Sequence, residues 1–516
     1  MSATLANYFS ILPELMLVAL IFIVLGYNSF VTGANGRTAG LITAWGTVIT
    51  TAVYGILVSI FWDDVASLQT LETLTVSSLE IPIQQWGGMI SADPIGVVFR
   101  MMFLAALFLT TLLSLDTDYL QQAEYFALLI AATIGFNLMS VSSDMVMLII
   151  ALETASISLY LLAAYAVTDS KSTEAGMKYF VYGAFASAIM LYGMSLLYGM
   201  TGRTNIYAIA EEIRQLSSST SGINTTELSA FLVTAAVLLV VGFGFKVSAI
   251  PFHWWAPDVY EGAPSQVTGF ASTASKAAGF ALFIRVFSAG AVGNPVTGLE
   301  AEAWWTVLVS ISVITMIVGN MLAIYQNNIK RMLAYSSVAQ AGYVLIALVS
   351  FTPEAAGAAM FYLLMYVLTN IAAFGVIVIV SDKMGSADMK DLHGLSRRSP
   401  YLALAMLFAL LSLGGIPPTA GFFGKFFIFK AAVDAGLWGL AMVGILAAFV
   451  SLYYYLSVVK YIYLYRNEEM ESQPIVTSRA VKLAMGLSVA GILWLGIFAG
   501  PAINWTNNAA QWFFSS

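Results

Sequence analysis

Long apolar runs alternate with short polar segments along the whole chain. A window of about 20 residues, the length of a membrane-spanning helix, predicts fourteen spans. Their approximate bounds are 8–28, 39–61, 94–115, 123–141, 144–167, 177–199, 229–250, 266–288, 303–325, 332–350, 355–380, 401–416 continuing as 418–434, 437–464 and 480–500. The pattern therefore predicts an all-α polytopic membrane protein with no soluble catalytic domain.

Composition supports the membrane assignment and limits the chemistry of the chain. Hydrophobic residues make up 59% of the chain and charged residues 9%, whereas a soluble domain carries roughly a quarter charged residues. There is no cysteine, and His253 and His393 are the two histidines. The chain by itself therefore offers no ligand set for an iron–sulfur cluster, a haem or a zinc ion. The first span has no basic residue before it, so we interpret it as a retained helix and not a signal peptide.

The distribution of lysine and arginine predicts the orientation of the chain. Loops after odd-numbered spans, with their flanks, hold 13 of the 21 basic residues, and loops after even-numbered spans hold three. Basic residues concentrate on the cytoplasmic side, so both termini are predicted on the non-cytoplasmic side. The other five basic residues lie within predicted spans: Arg100, Lys246, Lys276, Arg285 and Lys425. For Arg100 and Arg285 we expect ion pairs.

Two longer loops have sequence patterns of their own. Residues 63–93 are polar enough to form an exterior cover, with a hairpin expected around "TLTVSSLEI". In "TNIYAIAEEIRQLSS", Ile206, Ile209, Ile213 and Leu216 recur at near-helical spacing. This spacing is typical of an amphipathic helix that lies on a surface.

Spans four to eight and spans nine to thirteen contain similar sequence features in the same order. "IALETASISLY" in span five aligns with "LAYSSVAQAGY" in span ten, and spans seven and twelve are both broken by proline, in "SAIPFHWW" and "GGIPPTAGFF". Five helices is an odd number, so the second unit enters the membrane from the opposite side, which makes an inverted repeat. We expect an N-terminal three-helix segment at 1–122 with the exterior loop 63–93, repeats at 123–290 and 300–465, and helix fourteen with a tail at 466–516.

Within the predicted repeats, four ionisable residues lie well inside the spans, at Glu153, Lys246, Lys276 and Lys425. A charge near the centre of a membrane helix costs about 2.5–3.5 kcal/mol on insertion scales, so these groups must pair with one another or contact water. Lysine can release its proton, which arginine effectively never does. The set therefore favours proton transfer, and His253, just after the first break, is a further proton carrier. The alternative is a structural role, with Lys178 and Lys430 close enough to span ends to reach the interface.

Five long motifs in the chain resemble those of a known protein family. They are "HWWAPDVYEGAP" from His253, "TASKAAGFALFIR" from Thr273, "NNIKRMLAYSSVAQAGY" from Asn327, "DLHGLSRRSP" from Asp391 and "GGIPPTAGFFGKFFIF" from Gly414. Together they resemble the N-type antiporter-like subunit of complex I, from span one to span fourteen. The M-type subunit has glutamate where this chain has Lys425, and the L-type chain continues into a long lateral helix. One departure is Ser265-Gln266, where many relatives have Thr-Pro.

The resemblance implies a function and a set of site residues. Glu153 matches the glutamate that pairs with the lysine at Lys246, Lys276 matches the central lysine and Lys425 the terminal one, while His253 and Lys178 match residues of the same hydrated path. Such subunits pump protons, driven by quinone reduction elsewhere in the complex. The resemblance implies no cofactor in this chain, with iron–sulfur clusters and quinone in partner subunits.

The resemblance also implies partners and a location. The expected partners are an M-type antiporter-like subunit, the small K-type subunit and its neighbours, and lipids, with no nucleic acid. The expected location is an energy-converting membrane, either a bacterial plasma membrane or a thylakoid. Two alternatives remain at this point: a subunit of a multi-component cation/proton antiporter of the same fold, and a scaffold whose charges only hold subunits together.

Overall fold

Helices form nearly all of the structure, which is a computed structural model that describes residues 8–31, 35–68, 84–218, 225–288, 299–466 and 475–515. Within these ranges the strands are limited to a short antiparallel pair, β1 (Gln84–Gln85) and β2 (Ile90–Ser91). Along the chain, β1 begins three residues after the segment for which the sequence predicts a hairpin. That segment, "TLTVSSLEI", falls outside the described residues.

The first half of the chain folds into helices that follow the predicted spans closely. They are α1 (Leu12–Phe30), α2 (Gly36–Leu68), α3 (Pro94–Ser114), α4 (Ala123–Val141), α5 (Met145–Ala163), α6 (Ser170–Thr201), α7 (Ile206–Ser218), α8 (Thr225–Val247), α9 (Trp255–Gly262), α10 (Ser265–Phe270) and α11 (Lys276–Phe283). Side-chain caps set several of the starts: the Asp93 carboxylate accepts from the Gly96 amide at α3, and Asp144 caps α5 in the same way. Such caps satisfy amides that have no partner inside the helix.

The second half continues in the same manner. Its helices are α12 (Leu299–Ile324), α13 (Ile329–Val349), α14 (Pro353–Met384), α15 (Leu395–Arg398), α16 (Pro400–Gly414), α17 (Ala420–Asp434), α18 (Trp438–Tyr463), α19 (Arg479–Ile497) and α20 (Ala499–Ser515). In the described part of the chain, thirteen helical segments are long and apolar enough to cross a membrane. The predicted twelfth span is the remaining one, and it consists of two short helices, α16 and α17.

Both predicted helix breaks are confirmed. The first separates α8 from α9 around Pro251, and the second separates α16 from α17 around Pro417 and Pro418. A proline lacks the amide hydrogen and displaces the carbonyl four residues before it, so a helix cannot continue unchanged through these positions. At the second break, Gly415 takes a left-handed conformation with φ of 83°, which glycine adopts without the penalty that a side chain imposes.

Predicted span eight is irregular in a way that the sequence did not indicate. Between α10 and α11 the chain forms a π turn at Ala271–Ser275, and a second π turn, Ile284–Ser288, follows α11. Lys276 is the first residue after the first of these turns. A π turn inserts one residue into a helix and is frequent at functional sites. The segment is also the most enclosed span in the structure, because every residue of its most apolar window is buried.

Among the helices that lie outside the set of spans, α7 and α20 are the longest. The amphipathic helix expected from the isoleucine spacing is α7, and Ile206, Ile209 and Ile213 on it are buried. The second, α20, follows α19 directly and was not predicted, because the sequence indicated only a tail there. It packs against α14 and α3, burying Ala509 and Ala510.

Candidate functional site

Glu153 and Lys246 lie near each other on α5 and α8 but do not form a direct ion pair. The Ser187 hydroxyl on α6 donates to Glu153 Oε1 at 2.6 Å, and Lys246 Nζ donates to Ser156 Oγ at 3.0 Å. Ser156 is one turn after Glu153 on the same helix, so α5 holds both polar groups. Among the described residues, no carboxylate oxygen lies within 4.0 Å of Lys246 Nζ. The pair inferred from the resemblance is therefore separated in this structure.

Lys276 is held by the other half of the molecule. Its side chain is 2% exposed, and Nζ donates to the Ser337 backbone oxygen at 2.9 Å and to Ser337 Oγ at 2.8 Å. Ser337 lies on α13, 61 residues further along the chain. No acidic side chain in the described residues makes an ion pair with this lysine. The ammonium therefore depends on a hydroxyl and a carbonyl oxygen for its stabilisation.

Lys425 sits at the second helix break and is bound by the backbone that the break exposes. Nζ donates to the Leu413 carbonyl at 2.8 Å and to the Gly414 carbonyl at 3.2 Å. These are carbonyl oxygens at the end of α16, which have no partner within that helix. Nζ also lies 5.0 Å from the centroid of the Tyr343 ring, a distance at which a cation is attracted to the aromatic face. The glycines and prolines around Lys425 thus supply the acceptors for its charge.

A network of uncharged polar groups, which sequence reasoning missed, lies between Lys276 and Lys425. Gln340 on α13 donates through Nε2 to the Leu413 carbonyl at 3.2 Å and to the Tyr455 hydroxyl at 2.9 Å. Its Oε1 accepts from the Tyr362 hydroxyl, and Tyr455 also bonds to Ser336. The available signal was the run of polar residues within span ten, "SSVAQ", because such residues in a membrane helix usually bond to another helix.

His253 lies in the first break and is largely enclosed. Its side chain is buried, and its Nδ1 has no hydrogen-bond partner among the described residues. The ring packs 4.8 Å from Trp254 and 6.5 Å from Tyr335, measured between centroids. An unpartnered buried ring nitrogen is a position where a water molecule or a migrating proton can bind.

Lys178 belongs to a separate group of charges at the membrane boundary. Lys178 Nζ lies 2.7 Å from both Asp258 Oδ2 and Glu174 Oε1, and Asp258 Oδ1 lies 2.7 Å from Arg331 NH1. Each of these side chains is roughly a third exposed or more. The group joins α6, α9 and α13. The structure thus does not bring Lys178 into contact with Glu153 or with the lysines at positions 246, 276 and 425.

Two other buried charges have structural partners, as the sequence led us to expect. Arg100 Nε and NH2 each lie 2.9 Å from a different carboxylate oxygen of Glu14, and both side chains are buried. Arg285 makes an equivalent two-point contact with Asp93, with both distances 2.8 Å. These ion pairs fix α3 to α1 and to the end of span eight. The prediction that Arg100 and Arg285 sit in ion pairs is confirmed.

Substitution of a glycine in α17 tests whether the close approach of α16 and α17 at the second break holds Lys425 in position. A Cβ added to Gly421 would lie 1.7 Å from the Ser412 carbonyl oxygen, so Gly421→Ala must push α17 away from α16. We expect a loss of about 1–3 kcal/mol of stability and displacement of Lys425, which lies one turn further on. Thermal unfolding of the purified protein measures the first effect. Gly199→Ala is the control, since a Cβ there meets nothing within 4 Å, and it should not lower the unfolding midpoint.

Comparisons of this sequence with a family model and with individual proteins point to the same family. Residues 142–451 match the family model described as "NADH:quinone oxidoreductase/Mrp antiporter, TM". Subunit N of the NADH-quinone oxidoreductase of Moorella thermoacetica is 44% identical over 426 residues, which cover 82% of this chain and 86% of that protein. Subunit 2 of the NAD(P)H-quinone oxidoreductase of Nostoc punctiforme is 40% identical over 443 residues, which cover 83% of this chain and 80% of that protein.

Solved structures agree at the level of the fold. A chain of respiratory complex I from Thermus thermophilus, solved with bound aureothin, superposes with a TM-score of 0.74 at 29% identity, covering 95% of this chain and 98% of that one. A chain of the Mrp complex from Dietzia sp. gives a TM-score of 0.73 at 20% identity, covering 99% of this chain and 98% of that one. The second likeness shows a shared fold only.

Proposed function

Because the chain belongs to the NADH:quinone oxidoreductase/Mrp antiporter transmembrane family, we propose that it is the N-type subunit of a proton-translocating quinone oxidoreductase. In this role it carries protons across the membrane, while electron transfer to quinone takes place in other subunits. The absence of cysteine and the presence of only two histidines are consistent with that division, because iron–sulfur clusters require ligands that this chain lacks.

One observation carries the proposal: three of the four buried lysines in the described residues lie well inside the predicted spans, and neutral acceptors hold each of them. The fourth, Lys330, is the second residue of α13. Lys246, Lys276 and Lys425 are at most 5% exposed. Their contacts are to Ser156, to Ser337 and to backbone carbonyls. Hydroxyl and carbonyl oxygens stabilise an ammonium less than a carboxylate does, and burial favours the neutral amine. Each lysine can therefore exist in both protonation states, which is the requirement for passing a proton on.

The order of the groups suggests a path along the membrane plane. Glu153 lies on α5 and Lys246 contacts Ser156 on the same helix, Lys276 contacts α13, and Lys425 lies beyond it at the second break. We propose that a negative charge on Glu153 favours the ammonium of Lys246, and that its neutralisation releases the proton toward Lys276 and Lys425. His253 in the first break and Lys178 at the membrane boundary are proposed to connect this path to the aqueous phase. In this scheme residues 123–290 and 300–465 act as the two inverted repeats.

The side of the molecule that carries Glu153 is proposed to face a neighbouring subunit. Glu153 and Ser187 are only partly buried, while Ile150 and Ile157 on the same helix are exposed. A carboxylate open to lipid tails is costly, so a protein partner is expected to cover it. We propose the small K-type subunit or one of its neighbours for this face, with an M-type antiporter-like subunit elsewhere on the chain. The complex would lie in a bacterial plasma membrane or a thylakoid, with both termini of this chain on the non-cytoplasmic side.

The variant Glu153→Gln tests the proposal directly. Glutamine still accepts the hydrogen bond from Ser187 but cannot be charged, so Lys246 loses a nearby negative charge. We expect proton pumping by the assembled complex in sealed vesicles to fall by about tenfold, which corresponds to a barrier higher by about 1.4 kcal/mol. Normal pumping by both Glu153→Gln and Lys246→Ala would contradict the proposed role of this pair.

Copurification separates this function from the alternative of a cation/proton antiporter subunit. An affinity tag on the chain should recover an iron–sulfur protein and other membrane subunits that together reduce quinone. Recovery of a complex without iron–sulfur protein, with transport that depends on sodium, would favour the antiporter. The identity of 44% to a subunit N supports the first outcome.

A further inference from the structure

Gln340 is an uncharged side chain that lies between the acceptor of Lys276 and an acceptor of Lys425. Ser337, which holds Lys276, lies one turn before Gln340 on α13. The Leu413 carbonyl, which accepts from Lys425 at 2.8 Å, also accepts from Gln340 at 3.2 Å. The amide thus lies between the acceptors of the two lysines.

Both N–H groups of the Gln340 amide are engaged in the structure. A glutamine has two N–H donors and one acceptor oxygen. Both donors are used, on Leu413 and Tyr455, and the oxygen accepts from Tyr362. The side chain is 2% exposed. In this arrangement no N–H of the amide is left to bind a water molecule that could join the two lysines.

An amide also differs chemically from the groups on either side of it. Amine and carboxyl groups exchange protons near neutral pH, whereas a glutamine amide does not titrate in that range. A proton that leaves the Lys276 ammonium for the Lys425 amine must therefore pass through water, and that water needs the space and the hydrogen bonds that Gln340 occupies.

We propose that Gln340 is a gate between Lys276 and Lys425, closed when its amide bonds to Leu413 and Tyr455 and open when it turns away. The inference rests on the proposed function, since it presupposes proton transfer between the two lysines. When the gate opens, a proton passes from Lys276 Nζ through water to Lys425 Nζ, and Gln340 itself is chemically unchanged. The role of the gate is to prevent protons from flowing back through the chain.

Two substitutions of nearly the same size should have opposite effects. Gln340→Met fills the position without polar atoms, so water stays excluded and proton pumping should fall at least tenfold with no increase in passive leak. Gln340→Glu places a proton acceptor between the lysines that needs no rotation. In that variant electron transfer should continue while the number of protons pumped per electron falls at least twofold. The pH gradient should also decay several-fold faster once electron donor is exhausted.

The measurements use the assembled complex in sealed membrane vesicles, with proton uptake, electron transfer and gradient decay recorded on the same preparation. Tyr455→Phe is a second, milder variant that keeps the ring and frees one amide hydrogen of Gln340. Its leak should lie between those of the unmodified complex and Gln340→Glu. Gln326→Glu is the control for adding a carboxyl group, because Gln326 bonds to Leu322 at the end of its own helix. It should leave pumping and leak unchanged.

The outcomes distinguish a failure of the gate from a failure of the proposed function. If Lys276→Ala and Lys425→Ala both pump normally, the proposed function is wrong, whatever the Gln340 variants do. If the lysine variants stop pumping but Gln340→Met and Gln340→Glu lose it equally without a difference in leak, only the gate is wrong. Loss of assembly in both Gln340 variants, together with an unaltered leak in Tyr455→Phe, would also overturn the gate and leave Gln340 a structural residue.

Discussion

Lys276→Ala is expected to reduce proton translocation by the assembled complex by about 100-fold or more, the lower range for removing a group that transfers a proton. Lys276 lies in the most enclosed span and contacts Ser337 across the two halves of the molecule. No acidic side chain in the described residues pairs with it, so alanine removes a buried charge without leaving an unpaired one. Assembly and thermal stability should therefore be preserved. Proton uptake by sealed vesicles measures the loss of translocation, and the yield of intact complex measures whether assembly is preserved.

Lys276→Arg separates proton transfer from electrostatics at the same position. Arginine retains the positive charge and can still donate to Ser337, but it effectively never releases its proton. If the lysine transfers protons, the arginine variant should lose pumping as fully as the alanine variant does. If arginine instead supports pumping at half of the normal rate or better, the charge alone is required, and the proposed path through Lys276 is wrong.

The sequence was sufficient to predict the features that depend on a single residue type. Proline in spans seven and twelve predicted both breaks, since proline cannot donate to a helix wherever it occurs. Lysine within apolar runs predicted the enclosed charges, because a charge is so costly in contact with lipid tails that it almost always faces the protein interior or water. The inverted repeat and the roles of the individual residues remain predictions.

Features that depend on several distant segments were not predictable in the same way. The acceptors of Lys276 and the amide of Gln340 come together only when α11, α13 and α16 pack, and no local pattern encodes that packing. The π turn before Lys276 depends on a shift of backbone hydrogen bonds that many sequences allow. Helix α20 was missed because Asn504, Asn507 and Asn508 lower its hydropathy below that of a spanning helix. Ala502, Ile503 and Phe513 on the same helix are nevertheless buried.

Asp93→Ala is expected to produce the largest loss of stability, about 3–5 kcal/mol, because it leaves Arg285 buried without its counter-ion. The two side chains are fully enclosed and joined by two hydrogen bonds of 2.8 Å. Asp93 also caps α3 through the Gly96 amide at 2.8 Å, so part of the loss belongs to the cap. The thermal unfolding midpoint of the purified protein in detergent measures the effect.

The double variant Asp93→Asn with Arg285→Met isolates the ion pair from the cap. Asparagine can still accept from the Gly96 amide, and methionine removes the charge that would otherwise be unpaired. Replacing a buried pair with uncharged groups is often close to neutral, so the double variant should recover most of the stability that Asp93→Ala loses. If it is as unstable as Asp93→Ala, the pair itself contributes net stability.

Taken with Lys276→Ala, these variants divide the buried charges into two physical classes. A charge bound to an opposite charge, such as Arg285, should be costly to unpair, because the remaining charge is then buried without compensation. A charge bound only to neutral oxygens, such as Lys276, contributes little to the fold and should be removable without unfolding. A buried charge of the second kind has an insertion cost that the fold does not recover, which is reasonable only if its protonation changes during function. A Lys276→Ala variant that unfolds as readily as Asp93→Ala would remove this distinction and with it the physical basis for assigning proton transfer to the buried lysines.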